Sequence, residues 1–525
     1  MLDNLLRIFL GTVLFVFTAT TQADENFEFA WRYSAPSGAC EIAAYSAATE
    51  KLFVTVGGGV DVLSVASGTR QGEVAIPNGF HATSVACSID VLAIAWAADD
   101  KRERGKVTFY NAMDLKALAT HEVGYLPDMI VFTPDGQSLL AANESEPSDD
   151  YSFDPEASIS VITKRDDWKS AKVREPKFDK FNSDKKELRA AGVHLFGPNN
   201  ASVAQDVEPE YIAISSDAKT AWITLQENNA IAELDIEQAK ITAIHPLGLK
   251  SFRSLGGVGE AKLVSHTSST GLDVSDQDGG VRIRHWPIWA MYQPDGIATF
   301  QQAGEDYLVT ANEGDPRDYY DFHEAIAVGE LEKAGIKLDL ANPARRLTGN
   351  DQLGRWEVSR WAGDTDGDGD LDRLVGFGGR SFSVWRCGDE GLELVFDSGS
   401  DIEQTIAQVA PDLFNVDSQL DSPIDVRSPI RGPEPENLVV FEIGRRRFTV
   451  VGLERTGGAL VYDISDPTAP AFVEYITPHE SGGIRDLAPE GLLYISGEKA
   501  PDGKPLLILS NEGSGTLTAY EVGLK

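Results

Sequence analysis

The chain is written in short apolar strands separated by polar turns. Residues 209–248 show the unit most plainly: PEYIAIS, TAWITLQE, AIAELDI and ITAIHPL, divided by SDAK, NN and EQAK. β-Branched and aromatic residues fill the strands, and turns this short predict an antiparallel meander. The phrase recurs as EIAAYS/KLFVTVGG/VDVLSVA/GEVAIP, as ATSVACS/VLAIAWAA/KVTFYNA/KALATHEV and as ENLVVFEI/RFTVVGLE/ALVYDIS/AFVEYIT. Partial or interrupted copies open at Asp128, Asp295 and Glu490, which makes seven units. Radial repetition of such units predicts an all-β fold, a seven-bladed β-propeller of four-stranded blades. The last unit holds three strands, PEGLLYIS, PLLILSNE and TLTAYEV, whereas residues 27–33 form a lone strand before the first unit. That strand is expected to complete the last blade, latch the ring and cover an aggregation-prone edge.

Superposed on the strand pattern is a recurrence of acids. Five times a Pro-Asp or Pro-Glu opens a first strand and the second strand ends in Glu: Asp128 with Glu144, Glu210 with Glu227, Asp295 with Glu313, Glu436 with Glu454, and Glu490 with Glu512. A hairpin places the start of its first strand beside the end of its second. Each repeat therefore delivers two carboxylates to one end of its sheet, and Glu41 joins them from the first unit. Asp206, Glu208, Asp315 and Glu434 lie next to these acids in sequence. A rim of this kind is expected to hold divalent cations around the mouth of the channel, or to scaffold neighbouring blades through backbone amides. Arg317, Arg380, Arg431 and Arg455, with Arg427 beside them, are candidate anion clamps, because arginine grips phosphoryl oxygens as well as carboxylates. Two acidic, aromatic stretches, 143–157 and 312–325, are expected as long loops on the same face, where function concentrates. The basic stretch 164–189 reads as a solvated loop or helix.

The densest motif is Asp364-Thr-Asp366-Gly-Asp368-Gly-Asp370-Leu-Asp372. Acids at alternate positions around glycine curl a backbone about a hard cation, which predicts a calcium loop. Val375 stands where a helical calcium loop would place its bidentate Glu, so the loop is expected to be of a non-helical kind, preceding a strand over 373–377. Asp273-Val-Ser-Asp276-Gln-Asp278-Gly is a second, weaker candidate.

Composition narrows the partners. With 46 basic against 82 acidic residues the net charge is −36, which repels nucleic acid and anionic membranes. Residues 1–23 combine Arg7, an apolar run over 8–19 and Thr21-Gln22-Ala23 before Asp24, the pattern of a cleaved export signal. The mature chain, 24–525, is then expected as one propeller in the periplasm or the medium, without membrane insertion. Of the three cysteines, Cys40, Cys87 and Cys387, at least one thiol is unpaired in a monomer, and Cys40 and Cys87 fall near opposite ends of equivalent strands, beyond disulfide reach, so disulfides are not expected to hold the fold.

The phrases ANESEPSDDYSFDPE, SVAQDVEPEYIAIS, MYQPDGIATF, ANEGDPRDYY, DTDGDGDLD, FGGRSFSVW, RGPEPENLVV and LILSNEGSGTLTAYEV resemble the choice-of-anchor I family of exported bacterial β-propellers. The resemblance covers nearly all of the mature chain. It implies a calcium-bearing propeller and suggests phosphatase activity, since relatives are labelled alkaline phosphatase or mesenchyme-specific cell-surface glycoprotein. Two readings therefore stand side by side. One is a metal-dependent phosphoesterase acting on a small phosphorylated substrate, with calcium on the rim carboxylates and arginines balancing charge. The other is a non-catalytic module that binds a surface glycan or peptide through calcium and aromatic loops.

Overall fold

The computed structural model describes residues 25–253, 270–320 and 322–524, so the expected leader over 1–23 lies outside the described residues. Seven four-stranded antiparallel sheets dominate the described chain. Their first strands are Ala43–Ser46, Phe80–Ser88, Pro127–Phe132, Pro209–Ile214, Ile297–Gln302, Pro435–Ile443 and Pro489–Ile495. Each of these strands touches the first strand of the next sheet, and Pro489–Ile495 touches Ala43–Ser46. The first strands thus surround a central channel, the arrangement of a β-propeller.

The alternation read from the sequence has its physical counterpart between the sheets. Phe53, Trp96, Leu92 and Val62 pack across the first two sheets, while Ile212, Ile223, Ile159 and Val161 pack across the third and fourth. Burying each such side chain contributes about 1.5–3 kcal/mol. The last sheet draws its strands from both ends of the described chain. Glu25–Ser34 pairs antiparallel with Thr516–Leu524, Phe27 opposite Val522 and Tyr33 opposite Leu517, with a bulge between Phe29 and Trp31.

The fifth sheet departs from simple repetition. Its second and third strands, Glu305–Asn312 and Ser381–Gly388, are hydrogen-bonded neighbours although residues 313–380 intervene. The intervening stretch is not a bare loop. Together with residues 249–253 and 270–291 it builds a satellite core around Phe252, Trp286, Ile326, Leu353, Trp356 and Leu371. A small sheet ties that core to the propeller. Leu249–Ser251 pairs antiparallel with Trp289–Met291, which pairs in parallel with Val375–Gly376. The strand expected over 373–377 is therefore only those two residues, because only Trp289 and Ala290 pair with it.

The basic stretch holds the strand Lys172–Arg174, a 3-10 turn over Asp179–Asp184 and the helix Lys185–Ala191. Cys40, Cys87 and Cys387 are free thiols. Among the described residues no helix is long and apolar enough to cross a membrane.

Candidate metal centre at the channel mouth

One local device recurs where the first strands begin. The pairing register slips just after Pro127, Pro209, Pro435 and Pro489. Proline has no N–H for the ladder and suits the first position of a strand, and a bulge leaves an extra residue unpaired with its side chain re-aimed. Asp128, Glu210, Glu436 and Glu490 occupy those positions. Before Pro127, Pro294, Pro435 and Pro489, the residues Leu126, Gln293, Glu434 and Ala488 adopt positive φ, at 45°, 47°, 49° and 52°, so the chain turns sharply at these four points, whereas Glu208 before Pro209 does not. On the second strands the amides of Glu144, Glu454 and Glu512 donate to the carbonyls of Leu126, Glu434 and Ala488 at 2.9, 2.8 and 2.7 Å. Those bonds bring both acids of a repeat to the same edge. The second sheet carries Thr83 at its bulge, between Ala82 and Ser84, and the first and fifth sheets pair their first two strands without one.

The result is a continuous field of carboxyls. Burial first, and like charge after it, push Glu41 up to about 7, Asp128 to about 6 and Glu454 to about 9. The same causes hold Glu144, Glu210, Glu227, Asp295, Glu313, Glu436 and Glu490 well above the usual carboxylate range. Glu434 goes the other way. Burial opposes its charge, but Arg431, Arg427 and Arg455 outweigh that and hold it down at about 2.

Within this field the carboxylate oxygens of Asp295, Glu313 and Glu436 lie within 4.8 Å of one another, and all three residues are buried. Gln226 Nε2 donates to Glu313 Oε2 at 2.6 Å and fixes that side chain. Glu436 Oε2 is buried and accepts no hydrogen bond. A buried acceptor left without a partner costs about 1–3 kcal/mol, and a hard cation among the three acids would remove that cost. Glu313, Glu434 and Glu454 form a second group at the same spacing. There the charge is already balanced, because Arg455 Nε reaches Glu434 Oε2 at 2.8 Å and Arg431 Nε reaches Oε1 at 3.2 Å.

Two glycines set the backbone under Glu313. Gly314 at φ 97° and Gly378 at φ 73° pack main chain on main chain, and a Cβ on Gly378 would fall 1.9 Å from the Glu313 carbonyl oxygen. Below the acids, Asn437 Nδ2 donates to Tyr211 Oη at 2.6 Å. Tyr211 borders a cavity of about 480 Å³ walled by Glu41, Asp128, Glu490 and Glu512. It also borders one of about 420 Å³ walled by apolar residues such as Val85, Leu438 and Leu493. A third cavity, about 450 Å³, opens beside the mouth between Tyr319, Glu227 and Glu357.

The four arginines singled out from the sequence are all held by carboxylates. Arg317 donates to Asp206 Oδ1 at 2.7 Å and Glu208 Oε2 at 3.2 Å. Arg380 bonds Glu403 Oε1 at 2.9 Å and the carbonyls of Asp273, Ser428 and Ile430. Arg431 bridges Glu434 and Asp315, and Arg455 bridges Glu434 and Glu454.

The 364–372 loop lies on the surface. It brings Asp364, Asp366 and Asp372 within 4.8 Å, and Asp370 and Asp372 likewise with Asp339, which the motif did not reveal. Asp368 is outside both groups and its Oδ1 accepts from the Asp370 amide at 3.1 Å. Asp364 accepts from the amides of Gly367 and Gly369 at 2.7 and 3.1 Å. The 273–278 stretch does not converge. Asp273 accepts from the amides of Arg282 and Ser275, while Asp276 pairs with Arg355 at 3.0 Å. Sequence reasoning also missed Glu146, two residues after Glu144 in the same acidic phrase, and Tyr211 and Glu357, which carry no local signal.

Residues 41–467 match the model of the choice-of-anchor I domain. The chain is 31% identical over 186 residues to gigasin-3a of Magallana gigas, covering 32% of this chain and 64% of that protein. It is 27% identical over 330 residues to the mesenchyme-specific cell surface glycoprotein of Strongylocentrotus purpuratus, covering 56% of this chain and 40% of that protein. The match thus spans less than two thirds of either relative. Among solved structures, Kuenenia stuttgartiensis hydrazine synthase aligns with a TM-score of 0.47 at 11% identity over 94% of this chain and 98% of that one. The Myceliophteria thermophila Cps50 (Swd1) β-propeller domain aligns with a TM-score of 0.45 at 7% identity over 94% of this chain and 100% of that one.

Proposed function

The chain belongs to the choice-of-anchor I family, and we propose that it is an exported, seven-bladed β-propeller that holds calcium at its channel mouth and binds its partner without hydrolysing it. The ring reading rests on the seven four-stranded sheets and on the pairing of Glu25–Ser34 with the last strand. Export rests on the leader-like residues 1–23 and on a relative named as a cell surface glycoprotein.

The observation that carries the cation is the unpartnered Glu436 Oε2 inside the group of Asp295, Glu313 and Glu436. Three carboxylates and no nitrogen or sulfur donor suit a hard ion that takes oxygen ligands, and calcium tolerates irregular geometry better than magnesium. Asp364, Asp366 and Asp372, with Asp370 beside them, are the surface calcium ligands of the same reading. Binding is favoured over phosphoryl transfer because the guanidinium groups at the mouth already neutralise Asp206, Glu208, Glu434 and Glu454. A phosphoryl group would have to displace those buried pairs, and breaking a buried pair costs about 3–5 kcal/mol.

Calorimetric titration of chelator-stripped protein tests the reading. Calcium binding is expected, with one site lost in Glu436→Gln, and calcium-loaded protein is expected to release no phosphate from phosphomonoesters, phosphodiesters or phytate. Phosphate release that disappears in Glu313→Gln would establish the hydrolase instead, and absence of calcium binding would remove the proposal.

A further inference from the structure

The cavity of about 450 Å³ beside the channel mouth has its own chemistry, distinct from the metal group. Its walls include six carboxylates, of which four are engaged: Glu146 with Lys101, Asp315 with Arg431, Asp318 with His323, and Glu324 with His194. The two arginines on the wall, Arg317 and Arg431, are likewise held, by Asp206 and Glu208 and by Glu434 and Asp315. Glu227 and Glu357 remain. Neither has an ion-pair partner among the described residues, and Glu227 Oε2, on a residue only 7% exposed, accepts no hydrogen bond.

Tyr319 supplies an aromatic wall, and its ring is fixed edge-on against Tyr151 at 5.2 Å. Phe322, also packed on Tyr151, stacks on Trp361 at 4.6 Å. A single metal ion does not fit these features. Among the described residues no three-ligand group includes Glu227 or Glu357, and the cavity is many times the roughly 30 Å³ that one water occupies in the liquid. Two carboxylates without ion-pair partners and an aromatic ring lining one cavity match a cation bearing N–H donors, which satisfies each acid by a charge-assisted hydrogen bond and lies against the ring.

We propose that this cavity is a binding site for an organic cation, a primary alkylammonium or guanidinium group, seated on Glu227 and Glu357 against Tyr319. The proposal deepens the binding-module reading and rests on it, but it does not use the Asp295–Glu313–Glu436 group. The cation could arrive as a free polyamine or as a lysine or arginine side chain of a basic peptide.

Calorimetric titration of calcium-loaded, full-length protein with spermidine, tri-lysine and tri-arginine, at near-physiological salt, tests it. One-site binding of at least one probe is expected, weakened at least tenfold in Glu227→Gln and in Glu357→Gln and severalfold in Tyr319→Leu. Preference for spermidine identifies a free amine, whereas preference for a peptide identifies a side chain. Glu436→Gln should keep the organic cation while losing its calcium, so failure of the metal assignment is read separately from failure of this one. Thermal melts of each variant verify folding, and Glu357→Gln, at the less buried acid, stands in if Glu227→Gln does not fold. No binding of any probe would overturn the proposal, as would equal binding by folded Glu227→Gln and Glu357→Gln. Loss of a calcium ion in Glu227→Gln would also overturn it, by making the cavity a metal site.

Discussion

Gly378 shows how little tolerance surrounds the candidate cation site. A methyl group there would lie 1.9 Å from the Glu313 carbonyl oxygen, at a φ of 73° that L residues rarely adopt. Gly378→Ala is therefore expected to cost about 1–3 kcal/mol in chemical denaturation. It should also weaken calcium binding by calorimetry, although no ligand side chain has changed. A surface glycine with open space around it, such as Gly444, serves as the control and should leave calcium affinity unaltered. Glu41 gives a second residue-level test. Its folded-state pKa, about 7, lies above the ordinary 4.5 because of burial and then Glu512 and Asp128. A carboxyl raised in this way binds its proton more tightly when folded, so its stabilising contribution is full below about 4.5 and is lost as pH rises through about 7. Calcium-free protein should accordingly melt at lower temperature at pH 8 than at pH 5.5. Glu41→Gln should make that decline shallower by up to about one proton per molecule, and an unchanged slope would exclude Glu41 as a contributor.

At the scale of elements, the bulged start of the first strand is the unit of design. The Pro-acid phrase is visible in the sequence because proline and the acid are adjacent. The bulge that aims the acid follows from proline's missing donor at Pro127, Pro209, Pro435 and Pro489. The strand Glu25–Ser34 has a different task, covering the edge of Thr516–Leu524. Removal of residues 25–34 is expected to expose that edge, giving aggregation or loss of a single cooperative melt. A truncated protein with an unaltered melting temperature would show that the strand is dispensable. The 364–372 loop is held by its own amides as well as by any ion. Asp366→Ala combined with Asp368→Ala should remove one bound calcium and lower the melting temperature by a few degrees, as elemental analysis and calorimetry would register. The satellite core of Trp286, Ile326 and Trp356 was not legible. Its strands are two or three residues long, too short for a period to emerge from the sequence.

On the scale of the whole molecule, a net charge of −36 and a mouth crowded with carboxyls mean that the proposed cations would contribute to the stability of the fold. A ligand that binds only the folded state stabilises it by about 2.7 kcal/mol at one hundred times its Kd. Chelation of calcium-loaded protein should lower the melting temperature, and the effect should grow from pH 5.5 to 8, as the acids that calcium neutralises lose their protons. A melt insensitive to chelator at both values would mean that protons and arginines alone balance the mouth.

The sequence by itself determined the strand phrase, its recurrence and the placing of an acid at each strand start, because these depend on neighbours only a few residues apart. It named Asp295, Glu313, Glu436, Arg317 and Arg431 as residues of interest without assigning their partners. Only the tertiary structure decided that Asp295, Glu313 and Glu436 converge, while Glu434 is neutralised by arginines and Glu227 faces a separate cavity. The physical reason is that desolvation and charge pairing act through space. Glu436 of the sixth sheet meets Asp295 and Glu313 of the fifth, and Gln226 reaches Glu313 from the fourth, across sequence distances over which no local pattern carries information, whereas Arg427 and Arg431 stand close to Glu434 in sequence.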